Sequence, residues 1–579
     1  MRNTLGWLCT AASVIAIAGC GTESSLDPNP VPQDPAGEFV SDNPSGTQEG
    51  YDDNSPSAGA AGSAGSSSAA DAGASEDSKD EASKAIVEAD IIQVHGDKLY
   101  ALSQYGGLAI VDVSNPDDLK MLGRWRVAGM PFEMYLRDGV VYAMYSSFYH
   151  LEWDDAAKSA QWVTSSRVVA LDVGNPASIQ QLATFDIPGE VSDSRMVGDA
   201  MYVVSYESNY CWSCSSEPRT TVTSLAVANP NDIHKVDQLA YADGGYSWGR
   251  RSISVTQDRI YVAGPEWYDD SNGTHTDHST IQVVDITDPG GDLVPGASVA
   301  VSGQIESRWQ MDEYEGVLRV ISQPGSWWSG DGAPVVETFQ VVTSQQLAPL
   351  GQLTMTIPAG ERLQSVRFDG FRGYAVTFVQ TDPLFTLDLS DPATPKQLGE
   401  LHMPGFLYHM EPRGNRMIAL GRDDGNDAGG LTVSVFDVAD INNPTMLSRV
   451  NFGSEWGWLP EDQDRIHKAF RIFDSDNLIV VPFAGSSYDS NSCYSYASGV
   501  QLIDLFGDQL TARGVVPQHG QARRAIPHNG RLLTVSDDRV ASFDIADRDH
   551  PKQKSSLAFV HKAYQSKVVG QAVAQISSD

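Results

Sequence analysis

GYAVTFVQTDPLFTLDLSDPATPKQLGEL, Gly373–Leu401, holds the fold in miniature. One apolar run gives way to a polar Gln-Thr-Asp-Pro break. A second run ends in Leu387-Asp388-Leu389, Ser-Asp-Pro turns the chain, and a third strand-like run begins. Short runs of this kind, bounded by Pro, Asp and Gly, read as β-strands rather than helices.

The same pattern of apolar, Asp, apolar and turn recurs along the chain. LAIVDVSNPDDLKML carries Asp112 and VVALDVGNPASIQQL carries Asp172. IQVVDITDPGGDL carries Asp285, VSVFDVADINNPTML Asp437, VQLIDLFGDQL Asp504 and VASFDIADRDHPKQ Asp544. Two further units place Ala226 and Val341 at the Asp position. Nine units between 112 and 544 leave eight intervals over 432 residues, a mean of 54. Upstream of each unit lies a hairpin pattern with a tight polar turn, as in IIQVHGDKLYALS, MYLRDGVVYAMY and MEPRGNRMIALG. Each unit therefore holds four strands, A to D in chain order, and helix signals are nearly absent. Four-stranded β repeats near this period predict an all-β propeller, because radial repetition leaves few exposed strand edges. Nine units exceed the usual range, so seven to nine blades are expected, with one unit degenerate or shared at closure.

Three stretches carry a family resemblance: EADIIQVHGDKLYAL from Glu88, SVRFDGFRGYAVTFVQTDPLFTLDLSDPATPKQLGELHMPGF over Ser365–Phe406, and IHKAFRIFDSDNLIVV from Ile466. They resemble the secreted bacterial and archaeal β-propeller family distantly related to WD-repeats, over roughly 86–557. The resemblance implies a propeller outside the cytoplasm and brings no catalytic residues with it.

Strand order assigns a working face. A–B and C–D turns share one face and are short. B–C and D–A connections share the other, and the B–C connections are long: 146–165, 207–220, 264–278, 323–333, 422–430 and 484–498. Read as aromatic loops, they carry Trp153, Trp162, Trp212, Trp267, Trp327 and Trp328, while Trp248, Trp456 and Trp458 fall in D–A connections. Long aromatic loops on a rigid scaffold are where binding is expected. Near the start of the A strands, which line the central channel, lie Arg195, Arg250, Arg251, Arg308, Arg362, His409, His467, Lys468, Arg523 and Arg524. A cationic channel mouth in an acidic protein would draw a carboxylate, phosphate or acidic sugar. The alternative pairs these groups with Glu133, Glu361, Glu411 and Glu455 as struts between blades.

Other constellations are weaker. Gly245–Gly249 has the G-x-S-x-G spacing, but a strand follows it where a nucleophile elbow needs a helix. Cys211 and Cys214 form a C-x-x-C in a B–C connection, where a disulfide stapling the loop is expected in an oxidising compartment. Asp423, Asp424, Asn426 and Asp427 supply oxygens at loose spacing, so calcium is the one metal considered.

The N-terminus sets location. MRNTLGWLCTAASVIAIAGC has Arg2, an apolar stretch from Leu5 to Ala18 and small residues before Cys20, so 1–19 reads as a signal peptide whose end resembles a lipobox. Cys20 is the expected lipidation site. Residues 21–85 are rich in Ser, Ala, Gly, Pro and acid, with 13 acidic and 2 basic side chains, and read as a tether. The propeller is assigned to 86–579. The chain carries a net charge of −36, which opposes nucleic-acid binding. A monomeric, exported module anchored by lipid to an outer membrane or cell surface is expected. Its ligand would be an envelope protein, a glycan or a small anion. The competing readings are a hydrolase or lyase using His409 or His467 at the channel mouth, and a structural platform in an envelope complex.

Overall fold

The computed structural model describes residues 86–577 except 88, 105, 128, 155–157, 208–217, 243–250, 270–274, 326–331, 379–382, 424–429, 454–455, 489–493, 561–562 and 570–571. Nine four-stranded antiparallel sheets follow one another along it and form a propeller ring. Blades 1 to 9 span 92–125, 130–188, 190–242, 252–301, 311–354, 362–401, 406–452, 456–517 and 522–558. The nine units of the sequence are these nine blades. A two-stranded hairpin, Ala563–Val569 with Ala572–Ser577, lies beyond the last blade and was not anticipated.

The repeated Asp has a local cause. At the end of strand C, the carboxylates of Asp112, Asp172, Asp285, Asp388, Asp437 and Asp544 each accept the backbone N–H two residues on, at 2.8–3.1 Å. A second turn of the same form follows in most blades, with Asn115, Asn175, Asn229, Asp288, Asp391, Asp440 or Asp547 as acceptor. Side-chain acceptance substitutes for a backbone turn, and two in succession carry strand C into strand D. Several A–B turns use consecutive left-handed residues, Asp138-Gly139, Glu315-Gly316 and Asn529-Gly530, which matches the twist of two-residue hairpins.

Arginines on this face tie several blades to the next. Arg137 donates to the Gly198 carbonyl at 2.9 Å, Arg372 to the carbonyls of Gly414 and Val438 at 3.1 Å, and Arg416 grips Asp508 at 2.6 and 2.9 Å. Arg531 grips Asp117 at 2.7 and 2.9 Å, joining blade 9 to blade 1.

Apolar packing follows the same circle. Each neighbouring pair of blades shares a buried cluster, and the one at closure combines Leu99, Ile110 and Met134 with Ile526, Leu533, Val540 and Phe559. No strand is shared at closure among the described residues, since blade 9 draws all four from 522–558. Side chains close the ring.

The opposite face departs from expectation. The B–C connections of blades 2, 4 and 8 are not loops but projecting β-hairpins: Val140–Asp154 with Ser159–Asp172, Arg259–Asp269 with His275–Asp285, and Leu478–Tyr488 with Tyr494–Phe506. Runs such as FYHLEWD keep the two-residue alternation of a strand, so pairing continues past the sheet proper. Trp153, Trp162 and Trp267 accordingly lie in strands rather than loops.

Candidate functional site

A nine-blade ring surrounds a lumen that its inner strands must share, and the chain fills it with two of its own segments. The first comes from blade 8, whose inner strand is split. Trp456–Trp458 pairs with one end of Leu478–Tyr488 and Arg471–Phe473 with the other, so 459–470 stand opposite Val481–Phe483 alone and bulge into the channel. The second is the N-terminal segment. Ile86 and Val87 pair with Val197 and Met196 of the inner strand of blade 3, and Asp90 bridges to Met134 of blade 2. Val197 adjoins the A–B turn, so the chain enters the channel from the short-turn face and turns back as the inner strand of blade 1.

The blade 8 segment touches the ring on all sides. Glu461 accepts from Arg523 at 3.2 Å and Arg524 at 2.7 Å in blade 9. Gln463 accepts from the Trp309 indole at 3.1 Å through its carbonyl and donates to the Gln364 carbonyl at 3.0 Å. Asp464 accepts from the Ser307 hydroxyl at 2.6 Å. Arg465 reaches across to the Phe132 carbonyl at 2.9 Å and lies 4.6 Å over the Phe132 ring. Lys468 donates to Glu133 at 2.7 Å and to the Ala89 carbonyl at 2.6 Å. Arg524 also holds Asp90 at 2.5 Å. Blades 2, 6 and 9, the connection into blade 5 and the N-terminal segment are thus pinned to one short excursion.

Charge pairing dominates here. Burial would raise the Glu461 carboxyl, but the guanidiniums of Arg524, Arg523 and Arg465 outweigh it and hold the group down to about 2. Burial pushes Asp464 up, against the Ser307 hydroxyl and the Arg308 charge and amide, and pushes Glu411 up against Arg413. His409 and His467 are each 3% exposed and flank Trp309, with ring centroids 5.8 and 5.4 Å away; the Arg367 guanidinium lies 3.8 Å over the same indole.

The structure therefore brings Arg308, His409, His467, Lys468, Arg523 and Arg524 together at the blade 8 segment. The other expected cations are dispersed. Arg195 holds Asp193 at 2.5 Å, Arg251 donates to the Ala242 carbonyl at 3.2 Å, and Arg362 opens the inner strand of blade 6 near Glu306. Arg250, Trp212, Trp327, Trp328, Cys20, Cys211, Cys214, Asp424, Asn426 and Asp427 lie outside the described residues, as does the side chain of Trp267; Asp423 ends the strand Arg416–Asp423. Among the described residues no three His, Cys, Asp or Glu side chains are grouped to hold a metal. No helix among them is long and apolar enough to cross a membrane.

Asp90, Glu461, Asp464, Arg465 and Trp309 are central here and were passed over in the sequence. One signal was available: 67 residues separate Asp437 from Asp504, well above the mean interval, and the polar run EDQDR falls where an inner strand should be. On the hairpin face, Trp458 and Tyr496 are 39% and 42% exposed, with ring centroids 5.8 Å apart.

The beta propeller domain family matches residues 83–244 and 212–548. The chain belongs to this family. An uncharacterized protein of Methanocaldococcus jannaschii is 38% identical over 189 residues, 32% of this chain and 29% of that protein. One from Archaeoglobus fulgidus is 31% identical over 248 residues, 42% of this chain and 34% of that protein. The match thus spans about a third of the length of these relatives. Among solved structures, BamB from Moraxella catarrhalis is similar with 10% identity and a TM-score of 0.33, over 78% of this chain and 96% of that one. Sqt1 from Chaetomium thermophilum is similar with 12% identity and a TM-score of 0.34, over 70% and 89%. Likeness of that degree says nothing of partner or substrate.

Proposed function

We propose that this protein is a lipid-anchored, extracytoplasmic binding module that works through its hairpin face. The carrying observation is the asymmetry of the ring. Among the described residues, one face ends in short turns bound by Asp and Arg, the channel holds Ile86, Val87, Ala89, Asp90 and 459–470, and the other face projects three β-hairpins and the exposed Trp458–Tyr496 pair. Rigid scaffolds bind through the connections they project. The described chain begins at Ile86 beside the A–B turn of blade 3, so a lipid on Cys20 would tether the protein from the short-turn side, away from the hairpins. Candidate ligands remain an envelope protein, a glycan or a small anion. Burial of His409 and His467 counts against hydrolysis at the channel mouth.

Two measurements test this reading. In a bacterial host, wild type should incorporate a clickable fatty acid and sediment with membranes, and Cys20→Ser should do neither; labelling of Cys20→Ser would sink the anchor. Photo-crosslinkers placed on the hairpin face and on the short-turn face of the protein in native envelopes should give adducts from the hairpin face. Adducts only from the short-turn face would overturn the assignment.

A further inference from the structure

The ring protects its own strand edges with care. In all nine blades the ladder between strand C and the outermost strand D is broken by a register shift. Outer strands also carry Lys120, Lys235, Lys396, Lys552 and Lys554. Bulges and lysines are the devices that stop an edge from recruiting a foreign strand.

In the blade 2 hairpin the register slips once, at its base between Tyr145 and Phe148, and its one lysine, Lys158, lies in the turn; the projecting strands beyond carry neither device. The hairpin's neighbour strand A begins at Met130, opposite Ser146, and strand D ends at Pro188, opposite Ser165. Beyond those points Phe148–Asp154 pairs only with 159–165 among the described residues, from Phe148 opposite Ser165 to Asp154 opposite Ser159, without a register shift. Neither FYHLEWD nor SAQWVTS contains Lys or Pro. In sequence the first run alternates Tyr149, Leu151 and Trp153 with polar residues, a strongly β-forming pattern.

We infer that the blade 2 hairpin is a strand-addition site, whose open edge pairs through its backbone with an extended segment of a partner protein. This rests on the hairpin face being the working face and names the partner class for it. Main-chain hydrogen bonds to the open edge would supply the affinity. Glu152, Asp154 and the net charge of −36 favour a segment bearing Lys or Arg. The chain's own tether is excluded as occupant by its acid, Gly and Pro content.

Amide hydrogen exchange on the full chain tests this, with an alternating Lys/Val/Thr heptapeptide as probe. At millimolar peptide, alternate amides within 148–154 or 159–164 should exchange at least tenfold more slowly. The same peptide with a central Pro should protect tenfold less, and His150→Lys/Glu152→Lys, which leaves the cross-strand pairs in place, should abolish protection. Unchanged exchange with the heptapeptide overturns the inference, and so does equal protection by the Pro peptide, which would mean side-chain capture. Sedimentation of wild type as a hairpin-dependent dimer would make a second copy the occupant and also overturn it. Hairpin-face crosslinking that persists when strand addition fails would leave the proposed function standing; loss of both would end it.

Discussion

Replacing Glu461 by Gln tests whether the channel is held by buried charge. The Glu461 side chain is 5% exposed and shared by Arg523 and Arg524. Its carboxyl is held at about 2 against an ordinary 4.5. That difference corresponds to roughly 3 kcal/mol of stability at neutral pH, at ~1.4 kcal/mol per pH unit. Removing one partner of a buried pair costs about 3–5 kcal/mol by general experience. The low end applies here, because Arg524 keeps Asp90 and Arg523 is partly exposed. Unfolding a ring of roughly 470 residues carries an entropy near 1 kcal/mol/K, so the variant should melt about 3 °C lower at pH 7. The sign with pH is fixed: a depressed carboxyl stabilises above its unfolded value and loses that contribution as pH falls from 4.5 through about 2. Tryptophan-fluorescence melts at one scan rate, at pH 7 and pH 3, should show the gap between wild type and variant shrinking by half or more. A gap below 1 °C at pH 7, or one that does not narrow in acid, would refute the reasoning.

Closure should depend on packing rather than on its surface ion pair. Phe559→Ala empties a fully buried site and should lower the melting temperature by about 3–5 °C, whereas Asp117→Asn should shift it by under ~1 °C. Lys468→Met strips the Ala89 carbonyl of its Lys468 donor and takes the ammonium from Glu133, which keeps the Ser194 hydroxyl and Arg465. It should cost about 3–5 kcal/mol and speed proteolytic cleavage before Ile91, read by N-terminal sequencing; unchanged cleavage would mean that the N-terminal segment is held otherwise. Gly405 has φ +72°, and a Cβ there would fall against the Arg422 carbonyl. Gly405→Ala should therefore destabilise by on the order of 1–3 kcal/mol, seen as a lower melting temperature.

The ring was legible in the sequence because its repeat is made of short-range chemistry. Asp388 accepts from Ser390, and Asp391 accepts from Ala393 and Thr394, within a few residues. Motifs of that kind show in a linear reading wherever they occur. The filling of the channel was hidden for the opposite reason. Glu461 finds Arg524 63 residues on, and Arg465 finds Phe132 333 residues back, so only closure of the ring brings them together. The projecting hairpins were hidden by composition: SSFYHLEWDD mixes polar and aromatic residues like a loop, and its strand character lies in the alternation.

The charged filling follows from the number of blades. Each added blade widens the lumen, and interiors do not tolerate voids. An apolar plug would fill that space but would slide among nine similar inner strands. Charges cannot slide without losing partners: Lys468 needs Glu133, Arg524 needs Asp90 and Glu461, and Asp464 needs Ser307. Each contact names a different element, so together they set the register of the segment against a nearly symmetric ring. That register places Trp458, immediately before the excursion, beside Tyr496 of the blade 8 hairpin. Positions on the binding face are thereby fixed from the centre of the ring outward.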